Sequence, residues 1–109
     1  MQKFCLTLDL KDDPQLIEEY MQYHENVWPE ILLSIKASGI SNMEIYCWGT
    51  RLFMIIEADN DFSFEKKAFL DQGNTKVQDW ETLMWKYQQS LPGSKPGEKW
   101  MLMDKIFTL

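Results

Sequence analysis

Alternating apolar and polar residues predict four β-strands along the chain. Residues 2–9 and residues 100–107 alternate in the two-residue period of a half-buried strand. Residues 43–48 and 51–58 are rich in strand-forming side chains, and only Gly49-Thr50 separates them. Because two residues with glycine in the first turn position favour a tight hairpin, these middle strands are predicted to be antiparallel neighbours.

Apolar residues at helical spacing predict helices between the strands. Asp12-Asp13-Pro14 supplies a cap and a first-turn proline, so a first helix is expected from there through His24. Pro29 disfavours helical geometry at the residue before it, so a second helix is expected from Pro29 to Gly39. Two further helical stretches, residues 62–70 and 77–87, flank a polar break that contains a glycine.

The resulting order is β-α-β-β-α-β, with the first crossover broken at Pro29, and it predicts an α+β fold of the ferredoxin-like type. Helices are expected to cover one face of the antiparallel sheet and to leave the other face open. The strands offer six apolar residues for that open face: Phe4, Ile45, Phe53, Ile55, Met101 and Met103. An exposed apolar face of this size indicates a partner. We therefore expect a homodimer whose two sheets pack together as a dimeric α+β barrel.

Length and charge narrow the function classes. The 109 residues suit a single domain spanning 1–109, and the net charge of -6 disfavours nucleic acid and anionic membranes as partners. No apolar run approaches the roughly 20 residues of a membrane span, and the N-terminus does not resemble a secretory signal, so a cytoplasmic location is expected. Cys5 and Cys47 lack neighbouring ligands at metal-binding spacing, and no glycine-rich phosphate loop occurs. We expect reduced cysteines, no metal and no cofactor.

The single histidine is the main candidate for chemistry. An imidazole can both give and take a proton near neutral pH, because its unperturbed pKa is about 6.5. Tyr20 precedes His24 by one helical turn, so the two side chains project from the same helix face. A lone histidine on a helix is more often a structural residue than a catalyst. The spacing alone therefore leaves the role of His24 open.

A longer motif resembles a known family. The motif is Tyr20-x-x-x-His24-x-x-x-Trp28-Pro29-Glu30. With the turn at residues 39–42, the strand at Ile45-Tyr46 and the later Trp85-Lys86-Tyr87, it is similar to the L-rhamnose mutarotase family over essentially the whole chain.

This resemblance implies a cofactor-free isomerase that interconverts the α and β pyranose anomers of a 6-deoxy-L-hexose, most simply L-rhamnose. His24 matches the family's proton donor, Tyr20 a substrate-binding tyrosine, and Trp85 the second of two substrate-binding tryptophans. Beside the catalytic His24, Tyr20 is expected either to hold a sugar hydroxyl or to take part in catalysis as a proton relay, the second less readily because the pKa of a phenol is near 10. Met84 replaces the first tryptophan, and Met43 replaces another sugar-contacting tyrosine. Both methionines, together with Trp28, are still expected to contact the sugar.

Three alternatives remain at this point. The two methionine replacements make L-fucose a natural second substrate within the same chemistry. A haem-degrading or cofactor-free monooxygenase can share the dimeric barrel, although His24 is expected in the first helix rather than the last. A non-catalytic sugar-binding module would bind sugar without accelerating anomer exchange. Binding that survives the loss of His24 would distinguish the last from an enzyme.

Overall fold

The structure is a computed structural model that describes residues 1–109 and contains five strands and four helices. The strands are β1 (Gln2–Leu10), β2 (Ile40–Trp48), β3 (Arg51–Ala58), β4 (Gln88–Gln89) and β5 (Met101–Leu102). The helices are α1 (Pro14–Glu25), α2 (Pro29–Ala37), α3 (Phe64–Gln72) and α4 (Thr75–Trp85). The predicted ferredoxin-like α+β order is confirmed, including the division of each crossover into two helices.

One antiparallel sheet organises the chain in the order β2-β3-β1, and the second edge of β1 is shared by β4 and β5. β1 pairs with β3 from Gln2 opposite Ala58 to Asp9 opposite Arg51. The predicted hairpin between β2 and β3 is confirmed, because Trp48 pairs with Arg51 across a two-residue turn. β2 starts at Ile40, earlier than predicted, and an irregularity in its register follows this residue.

Local chemistry explains where the first two helices begin and end. The carboxylate of Asp13 accepts hydrogen bonds from the backbone N–H groups of Gln15 and Leu16, which otherwise lack partners in the first turn. α2 starts at Pro29 as the sequence predicts. Gly39 ends the segment with φ of +100°, and a Cβ there would lie 2.8 Å from a carboxylate oxygen of Asp59. Only glycine suits this turn into β2.

The helices cover one face of the sheet, and the core lies between them. Leu10 and Leu52 from the sheet pack with Ile31, Val77 and other buried residues from the helices. Phe4 and Ile45 also belong to this covered side, so their predicted place on the open face is wrong: Phe4 packs against two phenylalanines and Ile45 against the core. Strand periodicity alone does not reveal which face of a strand the helices cover.

The opposite face of the sheet has no helix on it. The residues between the buried positions of β3 are Phe53, Ile55 and Glu57, all half-buried. Tyr46 of β2 pairs with Phe53 and is 54% exposed. Met101 pairs with Thr7 and shares this face. The open face therefore exists, with Phe53, Ile55 and Met101 as predicted members.

The predicted closing strand is the largest error in the secondary structure. Of residues 100–107 only Met101–Leu102 pairs with β1, and the ladder ends where the N–H of Met103 donates to the carbonyl of Cys5. Beyond it Ile106 and Phe107 are 96% and 76% exposed. The sequence also missed β4, which occupies the remaining edge of β1. Alternation shows that a segment could form a strand, but not how far it pairs with a strand distant in sequence.

No helix combines the length and the apolar character needed to cross a membrane.

Candidate active site

A cavity of about 680 Å³ lies between the helices and the covered face of the sheet. Of its 24 lining residues 16 are hydrophobic, so a few polar side chains must supply any specific hydrogen bonds. Small-molecule sites typically have this size and this mixture. Tyr20, His24, Gln88, Trp80 and Trp100 are among the lining residues.

His24 lies in the last turn of α1, and its ring nitrogens have different environments. Nδ1 is 2.8 Å from the backbone carbonyl oxygen of Tyr20. Because a carbonyl only accepts, Nδ1 carries a proton and donates it. Nε2 is then the nitrogen with a lone pair in the neutral ring. Burial lowers the pKa of His24 and outweighs the opposing effect of the carbonyl, so the imidazole is neutral near pH 7 and can act as a base.

Tyr20 supplies a hydroxyl beside this base. Its side chain is only 3% exposed, and its ring lies 4.4 Å from that of His24 between centroids. Burial raises the pKa of Tyr20 to about 12, more than the hydrogen bond from Gln88 lowers it. The phenol therefore stays protonated near pH 7. It suits hydrogen bonding to a substrate better than giving up its proton.

Trp80 forms an aromatic wall next to the histidine. Its ring lies 5.9 Å from His24 and 5.0 Å from Trp28, in edge-to-face contacts. Trp80 recurs with Val77, Leu83 and Met84 at helical spacing in α4, a pattern that core packing alone would explain. The structure shows that it both packs in the core and lines the cavity.

The structure brings four of the six predicted site residues to the cavity. Met84 and Met43 line it together with Tyr20 and His24. Trp28 does not line the cavity and contacts it only through Trp80. Trp85 also lies outside. Its face receives the Lys99 ammonium 4.6 Å from the ring centroid. Trp85 is not among the buried residues of α4, which are Val77, Trp80 and Met84, and it belongs to neither part of the core, so it lies on the outer side of the helix.

Two lining residues were missed by the sequence. Trp100, predicted as a strand residue, reaches the cavity from the loop before β5 and packs against both parts of the core. The next residue back, Lys99, anchors this loop to α4 with a 2.5 Å ion pair to Glu81. The second missed residue, Gln88, lies in β4, after the turn Lys86-Tyr87 that ends α4, and is 4% exposed. The high tryptophan content indicated aromatic contacts, but nothing in the sequence singled out either position.

No three His, Cys, Asp or Glu side chains converge in a manner that could hold a metal ion. The cavity's candidate chemistry thus centres on one neutral imidazole, one protonated phenol and one buried amide. The carboxylate of Glu81, which is ion-paired with Lys99, also lines the cavity.

Comparison with known proteins identifies the family and agrees with the fold. The sequence profile of the L-rhamnose mutarotase family matches residues 3–109. The L-fucose mutarotase of Xanthomonas campestris pv. campestris is 44% identical over 111 aligned positions, which cover 100% of this chain and 89% of that protein.

Two crystal structures share the fold. L-rhamnose mutarotase from Formosa agariphila superposes with a TM-score of 0.73 at 19% identity, covering 100% of this chain and 99% of that one. A dimeric ferredoxin-like protein from an uncultured marine organism gives 0.54 at 20% identity, covering 85% and 95%. With its sequence and its fold in agreement, this chain belongs to the L-rhamnose mutarotase family, isomerases that act at the anomeric carbon of sugars.

Proposed function

We propose that this protein interconverts the α and β pyranose anomers of a 6-deoxy-L-hexose, with His24 as the proton-transferring group. The observation that carries the proposal is the state of His24 in the cavity: Nδ1 is bound to a helix carbonyl, and the imidazole is neutral near pH 7. This leaves Nε2 as a base inside an apolar cavity. Proton transfer by a positioned histidine typically contributes about 10² to 10⁴ in rate.

One imidazole suffices for the proton transfers. Ring opening requires that the proton on the anomeric hydroxyl oxygen leaves and that the ring oxygen gains one as its bond to C1 breaks. Both oxygens are bonded to C1, so Nε2 of His24 can take the proton from the first and deliver it to the second. The aldehyde then rotates about the C1–C2 bond, and the reverse transfer closes the ring on its other face. No net proton is consumed.

Tyr20 serves in this scheme as a hydrogen-bond donor and substrate-binding group. A pKa of about 12 makes full proton transfer from the phenol unfavourable at pH 7. Its O–H can still stabilise charge that develops on a sugar oxygen. Trp80, Trp100 and Met84 form apolar surfaces suited to the C–H faces and the C6 methyl of the sugar.

Between the two candidate sugars, we propose L-fucose as the preferred substrate. The similarity to a protein named L-fucose mutarotase over the entire chain supports it. The methionines at positions 43 and 84 support it as well, because both line the cavity where the family resemblance would place aromatic rings. L-rhamnose is the second candidate, supported by the family itself.

We also propose that the protein works as a cytoplasmic homodimer without a cofactor. The open sheet face, with Tyr46 at 54% and Trp48 at 88% exposure, offers an apolar surface for a second copy. A structural neighbour described as dimeric has the same fold. Cys5 and Cys47 are free thiols, as a reducing compartment would keep them.

The test is the α-to-β exchange rate of L-fucose and of L-rhamnose, measured by saturation-transfer NMR with and without the wild-type protein. We expect acceleration for both sugars and a higher kcat/KM for L-fucose. Acceleration of L-rhamnose alone would reverse the substrate assignment. If neither rate changes while the sugars still bind, the chain is a binding module and the proposed activity is wrong.

A further inference from the structure

Gln88 is the one buried polar residue of the core, with 4% of its surface exposed. It follows α4 in β4, where it pairs with Leu10 of β1. The residues on both sides of Gln88 are also paired with β1 or its end. The N–H of Lys11 donates to the carbonyl of Tyr87, and Gln89 pairs with Asp9. The sheet therefore holds Gln88 in place, and its side chain lines the cavity together with Tyr20 and His24.

The side-chain amide of Gln88 is only half satisfied. Nε2 donates to the hydroxyl oxygen of Tyr20 over 3.4 Å. Oε1 has no hydrogen-bond partner and is the only buried side-chain polar atom in this state. Buried acceptors in folded proteins nearly always have a partner. An unpartnered amide oxygen in the lining of a cavity is therefore a site for a donor that comes from a ligand.

The donor that fits is a sugar hydroxyl. L-fucose and L-rhamnose share the C6 methyl group and differ only in the orientation of the hydroxyls at C2 and C4. Apolar walls cannot distinguish such isomers strongly, whereas a fixed hydrogen-bonding group can. Most of the cavity is apolar, so a rigid acceptor such as Oε1 of Gln88 has a large influence on which isomer binds.

The same amide also orients Tyr20. Because the Tyr20 hydroxyl oxygen already accepts from Nε2 of Gln88, its own proton must be donated in another direction. That proton is then available to the substrate. One side chain thereby connects recognition of the sugar with the direction of the Tyr20 hydrogen bond.

We propose that Gln88 determines specificity: Oε1 accepts a hydrogen bond from one ring hydroxyl of the sugar, while Nε2 directs the Tyr20 hydroxyl toward the reacting end. This inference rests on the proposed mutarotase function and names a residue that acts in it by binding and positioning.

The test combines protein variants with sugars that lack one hydroxyl. Gln88→Met keeps the length of the side chain and removes both hydrogen bonds, and Gln89→Met is the matched control on the exposed neighbouring residue. Exchange rates are measured for L-fucose, L-rhamnose and the 2-, 3- and 4-deoxy analogues of the preferred sugar. We expect Gln88→Met to lower kcat/KM for the preferred sugar by about 10- to 100-fold, the usual effect of one lost buried hydrogen bond.

The coupling between residue and sugar is the decisive readout. With the wild type, removal of one particular sugar hydroxyl should lower kcat/KM about as much as Gln88→Met does. With the Gln88→Met variant, removal of the same hydroxyl should leave kcat/KM almost unchanged. Gln88→Glu keeps an oxygen acceptor but loses the N–H donor. Its carboxylate would accept a hydrogen bond from the Tyr20 hydroxyl and so turn that hydroxyl away from the sugar. This variant should therefore lower kcat more than it raises KM. Together these results separate a role in recognition from a merely structural one.

Two results would overturn the role of Gln88 while leaving the mutarotase function intact. One is a wild-type exchange rate that Gln88→Met leaves within twofold. The other is a fall in kcat/KM on Gln88→Met that is equal for the preferred sugar and for every deoxy analogue, which would indicate general damage to the fold. A wild type that accelerates no sugar would instead overturn the proposed function, and this inference with it.

Discussion

Replacement of His24 by alanine should remove catalysis and leave the fold intact. The loss of the only imidazole in the cavity should lower the exchange rate by about 10² to 10⁴, or about 3 to 5 kcal/mol in activation free energy. The structural cost is small, because the ring is half-buried and its hydrogen bond stays within α1. That bond contributes about 0.5 to 1.5 kcal/mol, and alanine's better helix propensity offsets roughly half a kcal/mol.

Activity and stability can therefore be measured separately on the same variant. Saturation-transfer NMR gives the exchange rate, and thermal unfolding followed by circular dichroism gives the stability. Met21→Ala on the same helix is the matched control, since Met21 is 45% exposed and lies outside the cavity lining. His24→Gln keeps a polar side chain without a titrating base and should lose activity as alanine does. A His24→Ala rate within tenfold of wild type would refute the proposed chemistry.

Four further predictions follow from the structure. The pKa of His24 is lowered and its neutral form is the base, so kcat/KM should be constant near pH 7 and fall only as the pH drops through a value below 6.5. Trp80→Ala should raise KM for the sugar more than Trp85→Ala, because only Trp80 lines the cavity; initial exchange rates over a range of sugar concentrations measure this. Tyr87→Phe removes a 3.0 Å hydrogen bond to a carboxylate and should lower the unfolding free energy by about 1 to 2 kcal/mol in urea titrations. Ile55→Asp places a charge on the open sheet face and should yield a monomer in light scattering.

Each of these has a clear contrary result. A fall in kcat/KM that begins at or above pH 6.5 as the pH is lowered would contradict the lowered pKa of His24. A larger rise in KM for Trp85→Ala than for Trp80→Ala would place the sugar-binding site on the outer side of α4. Unchanged unfolding in Tyr87→Phe would mean that its hydroxyl contributes nothing to stability, and an intact dimer in the Ile55 variant would place the subunit interface elsewhere.

The sequence predicted the fold well because its signals are local. A proline at the start of a helix, an aspartate cap and a two-residue hairpin each act within a few residues, and all occur where the sequence placed them. The closing strand failed because its partner is distant in sequence. Its ladder with β1 ends at Met103, and no local pattern reports how far pairing with a distant strand extends.

The candidate site was predictable to a similar extent. The spacing of Tyr20 and His24 on one helix turn indicated their convergence, and the structure shows their rings in contact. Gln88 and Trp100 join them only through the tertiary fold. A glutamine after a helix is usually exposed, so its burial could not be inferred from the sequence.

The hydrogen bond from Nδ1 of His24 has a consequence for protein engineering. Many catalytic histidines depend on a carboxylate from a distant part of the fold to fix their tautomer. Here the helix that carries the histidine supplies the partner from its own backbone, four residues earlier. The imidazole and the group that fixes its tautomer therefore occupy five consecutive residues, Tyr20 to His24. Such a unit could be transplanted into another helix that borders an apolar cavity, with no second segment to align.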